Sequence, residues 1–413
     1  MSTIRLRHLV QINPATPAFD KLNDEDELTF LPMEAVWPGR RLDISRSRTK
    51  KSVATGYTRF QDGDVLVPKI TPTFEAGRAV LISSLLGGVG AGTTELHVMR
   101  PGGRIDSRFL LYVVNAHSFL KLGEAEMYGV AGQQRVPDDF LRNLPVLLPP
   151  LEEQRRIADF LDSEIGRIDK LMDLRRAQLG LFGDGLTAQA VQLTGRGRVR
   201  GQHSRGGQIQ LRRALDFMQT GSTPADLRSS REGEAGGRLP WYTPASLDGL
   251  LTISSAEKTA PVGVGVPFFS AGSVLITGIG ESLGKIGHLN HAATGNQQLT
   301  AITVKPEVSG RFIAWQLWAA ESEIREWAQY SRIRIVNNDS LKSFPIHLPS
   351  REEQDSVASK LDLQLMRVRK LQDSIRKFKK TVTERRQALI TAAVTGQFDV
   401  STASGRNVTD GVG

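Results

Sequence analysis

The chain is written twice. Pro145-Val-Leu-Leu-Pro-Pro-Leu-Glu-Glu-Gln154 returns as Pro345-Ile-His-Leu-Pro-Ser-Arg-Glu-Glu-Gln354, at an offset of 200 residues. The register holds through Asp162 and Asp362, Ile168 and Val368, and Leu171 and Leu371. It slips by one at Thr194-Gly195 and Thr395-Gly396. It also runs backwards through Val136 and Val336, Asp139 and Asp339, and Leu141 and Leu341. Farther upstream the offset drifts: Arg108-Phe-Leu-Leu-Tyr112 matches Arg311-Phe-Ile-Ala-Trp315, Asp64-Val-Leu-Val67 matches Ser273-Val-Leu-Ile276, and Leu6-Arg-His-Leu-Val10 matches Leu211-Arg-Arg-Ala-Leu215. A fixed offset marks a rigid element and a drifting one marks loop insertions. Each half is therefore a variable block followed by a well-matched one.

The well-matched block reads as a long helix. Leu161, Ile165, Ile168, Met172, Leu179, Phe182 and Leu186 follow 3–4 spacing in the first copy. Val357, Leu361, Val368, Leu371, Ile375, Phe378, Val382 and Leu389 do so in the second. That spacing predicts a narrow apolar seam. Pro149 and Pro150 stop the preceding strand, and Ser350 with Glu353 forms a capping-box pattern. Glu152, Glu153, Glu352 and Glu353 suit the positive end of a helix dipole, and Gly195 and Gly396 stand where a C-terminal cap belongs. About 40 residues give a rod of roughly 60 Å. A rod with an exposed apolar stripe needs a partner. The two rods packing on each other, antiparallel, is the expected solution; pairing with another protein is the alternative.

The variable blocks read as β-rich, with strands expected over 64–70, 78–83, 96–100, 273–277 and 301–305, and helices over 107–122 and 310–327. The expected fold is α+β: two similar globular domains, 1–148 and 211–348, separated by two long antiparallel coiled-coil helices, 149–195 and 349–397, in a pseudo-twofold internal repeat. Residues 196–210, with Arg196, Arg198, Arg200 and Arg205 and no acid, read as a basic flexible linker. Residues 398–413 read as a disordered tail.

Composition narrows the chemistry. No cysteine occurs, which removes disulfides, thiol catalysis and Cys-ligated metals. His288 and His291, spaced HxxH, lack nearby carboxylates and read as a loop pair rather than a metal site. Gly88-Val-Gly-Ala-Gly92 reads as a turn rather than a cofactor loop, and Gly280-Glu-Ser-Leu-Gly284-Lys285 is one residue short of a phosphate loop. No GxSxG or HExxH string and no Asn/Asp-Pro-Pro-Tyr string exists. No apolar run reaches membrane-spanning length and no secretory leader opens the chain. The chain reads as non-catalytic, with no metal and no cofactor of its own, and as cytoplasmic. The formal charge of +9 favours a polyanionic partner. Double-stranded DNA suits a doubled protein, because two half-sites on a duplex match two related domains. Unlike variable blocks predict unlike half-sites.

The arrangement resembles the specificity subunit of type I restriction–modification enzymes. The residues that carry the likeness are Leu148-Pro-Pro-Leu-Glu-Glu-Gln-Arg-Arg-Ile157 with Phe160-Leu-Asp162, and Leu348-Pro-Ser-Arg-Glu-Glu-Gln354 with Glu384-Arg-Arg-Gln-Ala-Leu-Ile390 and Val394-Thr-Gly396. The likeness spans almost the whole chain; the second copy departs in having Pro-Ser for Pro-Pro. The resemblance implies that each variable block is a target recognition domain, that the paired helices act as a ruler, and that two modification (methyltransferase) subunits dock on the scaffold. It implies that S-adenosylmethionine, ATP and Mg²⁺ serve those partners and the restriction/translocase subunits, not this chain. Other readings are an architectural coiled-coil adaptor without sequence preference, the recognition chain of another methyltransferase or restriction system, and an unrecognised catalyst.

Candidate DNA contacts follow from residue chemistry. Arg40, Arg41, Arg46, Arg48, Lys50 and Lys51 surround one acid, Asp43, and suit phosphates. Gln133, Gln134 and Arg135, and Tyr330, Arg332 and Arg334, precede the matched Val136 and Val336 yet differ in identity, as base-reading positions should; Gln pairs with adenine and Arg with guanine. Lys285, Asn296, Gln297 and Gln298 are weaker candidates. Glu152, Glu153, Gln154, Glu352, Glu353 and Gln354 recur in both copies, which suits either docking of two identical subunits or helix capping.

Overall fold

The structure, a computed structural model, describes residues 2–37, 41–130, 132–196, 208–230, 237–263, 265–328 and 335–400. The chain divides into two compact units: Met1–Leu174 with Arg376–Gly413, and Arg175–Ile375. The division runs through both long helices. Tyr330, Arg332, Arg334, Arg40 and most of the expected linker lie outside the described residues.

In unit 1, strands β1 (Ser2–Arg5), β2 (Val10–Ile12), β3 (Glu27–Leu31), β4 (Ser47–Thr49), β5 (Thr58–Gln61), β6 (Val65–Pro68), β7 (Val80–Leu81), β8 (Val89–Gly92), β9 (Leu96–Pro101) and β10 (Pro145–Leu148) alternate with helices α1 (Ser107–Val113), α2 (His117–Ala125), α3 (Asp138–Asn143) and the long α4 (Leu151–Leu193). One four-stranded sheet has the order β2-β9-β6-β7 and the other β4-β3-β8-β5, with β3 and β8 parallel. Strand β1 pairs antiparallel with β10, which returns the chain to the start of the long helix. Every residue of β6 is buried, so this strand reads as an unbroken apolar run rather than an alternation.

Unit 2 repeats the plan. It contains β11 (Gln208–Gln210), β12 (Leu215–Thr220), β13 (Arg228–Ser229), β14 (Arg238–Tyr242), β15 (Lys258–Pro261), β16 (Val274–Thr277), β17 (Ile286–His288), β18 (Thr294–Gly295), β19 (Leu299–Val304) and β20 (Pro345–His347), with α5 (Gly310–Ala319), α6 (Glu321–Trp327), α7 (Asn338–Lys342) and the long α8 (Arg351–Val394). Its sheets are β12-β19-β16-β17 and β13-β15-β14-β18, with β14 and β18 parallel, and β11 pairs with β20. Corresponding hydrogen bonds recur: Leu6 N–H to the Leu144 carbonyl and Leu211 N–H to the Phe344 carbonyl, both 2.9 Å, and Val136 N–H to Lys69 at 2.8 Å beside Val336 N–H to Gly278 at 2.9 Å.

Each unit packs part of both long helices. In unit 1, Ile157, Ala158, Leu161 and Ile165 of α4 share a core with Leu389, Ile390, Ala393 and Val394 of α8. In unit 2, Leu186 and Ala190 share one with Ala358, Leu361, Leu365 and Val368. The expected seam holds except at Phe182, which is exposed. Both helices end on a positive-φ glycine, Gly195 at 80° and Gly396 at 71°. Arg196 N–H bonds to the Val191 carbonyl and Gln397 N–H to the Ala392 carbonyl, both at 3.0 Å, as in a Schellman cap.

Several expectations are corrected. Residues 107–122 and 310–327 each form two helices, because the chain breaks at Val114–Ala116 in the first and at Ala320 in the second; the Asn115 side chain bonds the Leu111 carbonyl at 2.9 Å and turns the backbone out. The Gly88–Gly92 string is mostly strand β8, not a turn. A Cβ on Gly90 would stand 2.3 Å from the Phe60 ring and one on Gly92 2.4 Å from the Leu31 carbonyl oxygen, so its glycines serve close packing. Arg196 is not linker: its guanidinium is buried, bonds Glu323 at 2.6 Å and the Pro345 carbonyl at 2.8 Å, and stacks 4.6 Å over Phe344. Phe398 and Val400 pack on the core of unit 1, with Phe398 5.5 Å from Phe160, so the expected tail begins later than 398.

Candidate nucleic-acid interface

The frame that positions the candidate loops is a set of clamps placed alike in both units. Asp162 on α4 accepts from the Tyr112 hydroxyl at 2.6 Å and from Arg108 at 3.0 Å. Asp362 on α8 accepts from Trp315 Nε1 at 2.9 Å and from Arg311 at 2.6–3.1 Å. The i, i+4 spacing of each cation–aromatic pair puts both donors on one helix face. Gln154 and Gln354 are buried, at 0% and 2% exposure. Gln154 accepts from Asp106 N–H and donates to the Arg104 and Pro149 carbonyls. Gln354 accepts from Ser309 N–H and donates to the Pro349 carbonyl. The expectation of a docking role for these two side chains is corrected. Their amides tie each globular domain to the start of its helix and present nothing outward.

Their neighbours differ. Glu152 and Glu153 pair locally with Arg155 and Arg156, at 3.6 and 2.5 Å. Glu353 closes a capping box on Ser350: its carboxylate accepts from the Ser350 N–H at 3.2 Å and its own N–H donates to the Ser350 hydroxyl at 3.3 Å. Glu352 is exposed on the first turn.

The basic segment of unit 1 forms an edge strand. Of Arg41 only the backbone, paired with Trp37, is described. Just before β4, Arg46 bonds Glu34 at 3.0 Å, and on β4 Arg48 lies 4.1 Å over the Phe30 ring and reaches the Tyr57 hydroxyl at 3.4 Å. Lys50 donates to the Asp20 and Leu22 carbonyls, which spends its ammonium inside the unit. Lys51 is exposed. Arg59, which the sequence did not single out, stacks 4.0 Å over Phe19 and pairs with Asp20 at 3.2 Å. Both stacked arginines cap a small apolar cluster of Phe19, Leu28, Phe30, Val53, Val89 and Ala91.

The Gln133–Arg135 segment closes a hairpin-like loop. Tyr128 and Arg135 exchange backbone bonds of 3.1 and 2.9 Å, and Thr71 N–H bonds the Gln134 carbonyl at 3.0 Å. Arg135 is not free for a base: Glu95 holds it by two bonds, Nε to Oε2 at 3.0 Å and Nη2 to Oε1 at 2.8 Å, and this pairing holds the Glu95 carboxyl below its usual range. Gln133 is exposed and Gln134 half-buried. Beneath the loop, His97, at 1% exposure, places Nε2 2.9 Å from the Val136 carbonyl and Nδ1 3.2 Å from Asp138. Burial pushes its pKa down, against the pull of that carbonyl and carboxylate. At the matching place in unit 2, Thr300 bonds Asn338 at 3.3 Å.

In unit 2, Lys285 is half-buried, while Asn296 and Gln298 bond each other at 3.0 and 3.1 Å and Gln297 accepts from Thr223 at 2.7 Å. These three form a turn after β18, with Asn296 and Gln298 bonded to each other and Gln297 tied to Thr223. The structure thus groups Asn296, Gln297 and Gln298 in one loop, and Gln133, Gln134 and Arg135 in another.

The family model for the type I restriction modification DNA specificity domain matches residues 80–179 and 211–367, more than half of the chain. The chain belongs to that family. Its two matched stretches fall one in each half of the repeat. The family is one of specificity domains, which are non-catalytic. The chain is 44% identical over 153 residues to the type I restriction enzyme EcoAI specificity subunit of Escherichia coli and 41% identical over 175 residues to the EcoEI specificity subunit of the same organism. These alignments cover 36% and 41% of this chain but only 26% and 27% of those relatives. Among solved structures, a chain from work on complex assembly and conformational transition of the type I R-M system superposes with a TM-score of 0.75 at 18% identity, covering 96% of this chain and 98% of that one. The HsdS subunit from Thermoanaerobacter tengcongensis gives 0.53 at 18% identity, covering 96% and 97%. These two likenesses concern the fold.

Among the described residues no cluster of His, Asp and Glu has metal-binding geometry, and no helix is long and apolar enough to cross a membrane. A cleft of about 370 Å³ in unit 2 is lined by His288, His291, Arg311, Asp362 and Arg369. Its guanidiniums face carboxylates, Arg311 facing Asp362 and Arg369 facing Asp248 at 3.5 Å, so little unbalanced charge remains. Burial, with Arg311 nearby, pushes His288 down to about 4. The clamps on Asp162 and Asp362 are visible in the sequence only as matched letters; what those residues hold is set by the tertiary fold.

Proposed function

We propose that this chain is the DNA-sequence-specificity subunit of a type I restriction–modification complex. Residues 1–148 read one half of a bipartite, asymmetric site and residues 211–348 read the other. The two long helices run antiparallel as a spacer, and two modification subunits dock on this scaffold, with restriction/translocase subunits joining them. Adenine methylation with S-adenosylmethionine, and any ATP- and Mg²⁺-dependent restriction, belong to those partners. The chain works in the cytoplasm. Arg46, Arg48 and Lys51 meet phosphates, Gln133 and Gln134 meet bases in the first half-site, and Lys285, Asn296, Gln297 and Gln298, with Tyr330, Arg332 and Arg334, serve the second. Glu152, Glu153, Glu352 and Glu353 flank the docking surface.

One observation carries this reading: two units of one family share a hydrogen-bonded frame yet carry unlike outer loops. A pair of readers on matched mounts is what an asymmetric split site requires. The test exchanges residues 1–148 for the same block of a relative and maps methylated sites by methylation-aware sequencing of the host genome. One half-site changes and the other stays. A change in both halves together, or methylation without sequence preference, refutes the reading and favours an architectural adaptor.

A further inference from the structure

The positive charge of the chain is concentrated in one place. Residues 367–386 of α8 hold nine Lys and Arg against two acids, Asp373 and Glu384, so +7 of the formal +9 lies within twenty residues. The matched stretch of α4, residues 167–186, holds four Lys and Arg against three acids. Some of the α8 cations serve the fold. Arg369 bonds the Leu250 carbonyl at 2.9 Å, Arg386 bonds Asp169 at 3.0 Å and Arg367 bonds Gln364 at 3.3 Å. Others do not. Lys377, Lys379, Lys380 and Arg385 are exposed, and among the described residues none of the four has a hydrogen-bonded or ionic side-chain partner. All four belong to unit 1, on the part of α8 that follows the residues packed in unit 2 and precedes Leu389, Ile390, Ala393 and Val394. Arg376 and Lys380 are four residues apart, and Lys377 and Lys380 three apart. Those spacings bring like charges together on one helix face and destabilise it. Glu384, four residues after Lys380, offsets only one of these charges.

We infer that Lys377, Lys379, Lys380 and Arg385 form a phosphate track for the base pairs between the two half-sites, holding that spacer without reading it. The inference rests on the proposed specificity function and adds a DNA contact on a helix. Two observations favour a nucleic acid over a protein surface. The basic stretch exposes no large apolar side chain: those that α8 exposes, Leu363 and Met366, lie before it, whereas α4 exposes Leu171, Leu174, Leu181 and Phe182. Protein interfaces have an apolar or aromatic centre and are poor in lysine. Lysines act on phosphates as mobile point charges, and cations clustered along a helix are the footprint of backbone binding. The charge is also written once. Two docked modification subunits meet matched positions of both helices, and the clamps, ties and glycine caps that serve both halves recur in both. A charge on one helix alone suits an occupant that the complex holds once, and a single duplex carries both half-sites. Contacts to its phosphates position the protein and carry no sequence information.

The experiment uses the full chain with its methyltransferase partners and a duplex carrying its own site, and measures affinity from about 50 to about 200 mM salt. Each phosphate neutralised contributes about 0.9 to the slope of log affinity against log salt. The triple variant Lys377→Gln, Lys379→Gln, Lys380→Gln lowers that slope by about 2.7, so over this range the wild type loses about 40 times more affinity than the variant does. Preference among half-site sequences is unchanged. The triple variant Lys377→Arg, Lys379→Arg, Lys380→Arg keeps the wild-type slope. Uncharged methylphosphonates placed in the spacer weaken binding of the wild type and leave the Gln variant unaffected. An unchanged slope in the Gln variant, with sequence preference intact, overturns the track alone. Spacer methylphosphonates that weaken both proteins alike also overturn it. A Gln variant that fails to assemble with the methyltransferase subunits, where the Arg variant assembles, overturns it and assigns the cations to an acidic face of a partner protein. Equal affinity of the wild type for all duplexes overturns the specificity reading and, with it, the assignment of the track to a spacer.

Discussion

In unit 1, strand β6 starts behind a buried ion pair. Asp64 accepts from Arg100 Nε at 2.8 Å and Nη2 at 2.9 Å, and its carboxylate is closed off from water. In unit 2 the same two positions hold Ser273 and Thr303, whose hydroxyls meet at 2.9 Å. The outer sheets differ in the same spirit. Unit 1 adds an apolar layer under Arg48 and Arg59, and no such cluster occurs among the described residues of unit 2. By contrast the clamps on Asp162 and Asp362, the Gln154 and Gln354 ties and the glycine caps are near copies. The duplicated gene has held constant what fastens each domain to its helix and has let the rest drift. Pairs that only hold themselves together tolerate replacement in step, whereas a helix attachment is constrained on both sides at once.

The sharpest way to break this comparison is to move one pair across it. Asp64→Ala strands Arg100 beside a closed pocket and should cost unit 1 about 4 kcal/mol. The double change Asp64→Ser with Arg100→Thr, copying unit 2, should cost well under half of that. Urea unfolding of the three proteins checks it, and a double variant as weak as Asp64→Ala means the units do not share interchangeable frames.

Acid should separate the units next. His288 has a folded pKa of about 4 against about 6.5 when unfolded. The unfolded chain therefore binds the proton first, and stability present at neutral pH is lost as pH falls from about 6.5 to about 4. The loss is about 3 kcal/mol. His97 in unit 1 is depressed in the same direction, but a carboxylate at 3.2 Å opposes its burial, whereas Arg311 reinforces that of His288. His288→Asn should flatten the acid side of the unfolding profile more than His97→Asn does. The reverse order contradicts these electrostatics.

A smaller effect concerns the basic edge strand. Arg48→Ala removes a cation–π contact at an exposed site and should cost about 1 kcal/mol of stability or less. If Arg48 meets a phosphate, the same change weakens binding to every duplex alike and lowers the salt slope by about 1. A change in sequence preference would instead place it at a base edge.

Much of the frame was legible because periodicity and repetition are local signals. Matched letters located both long helices, their caps and the α+β plan, and 3–4 spacing placed the seam apart from Phe182. The candidate loops were less legible. Gln154 and Gln354 recur like surface residues but serve the interior, since their partners lie 5 to 50 residues away at positions no pattern marks. Arg135 follows two glutamines as a base reader should, yet Glu95, 40 residues upstream, takes its guanidinium.

Sequence alone determined that there are two related halves, where each rod begins and ends, and which positions differ between the copies. These follow from spacing along one chain, which propensity and capping chemistry translate directly into helix and strand. Tertiary structure decided which polar groups face inward, because a hydrogen bond between distant segments depends on where folding brings them. That choice separates the residues that hold each domain to its rod from those left free to meet another molecule.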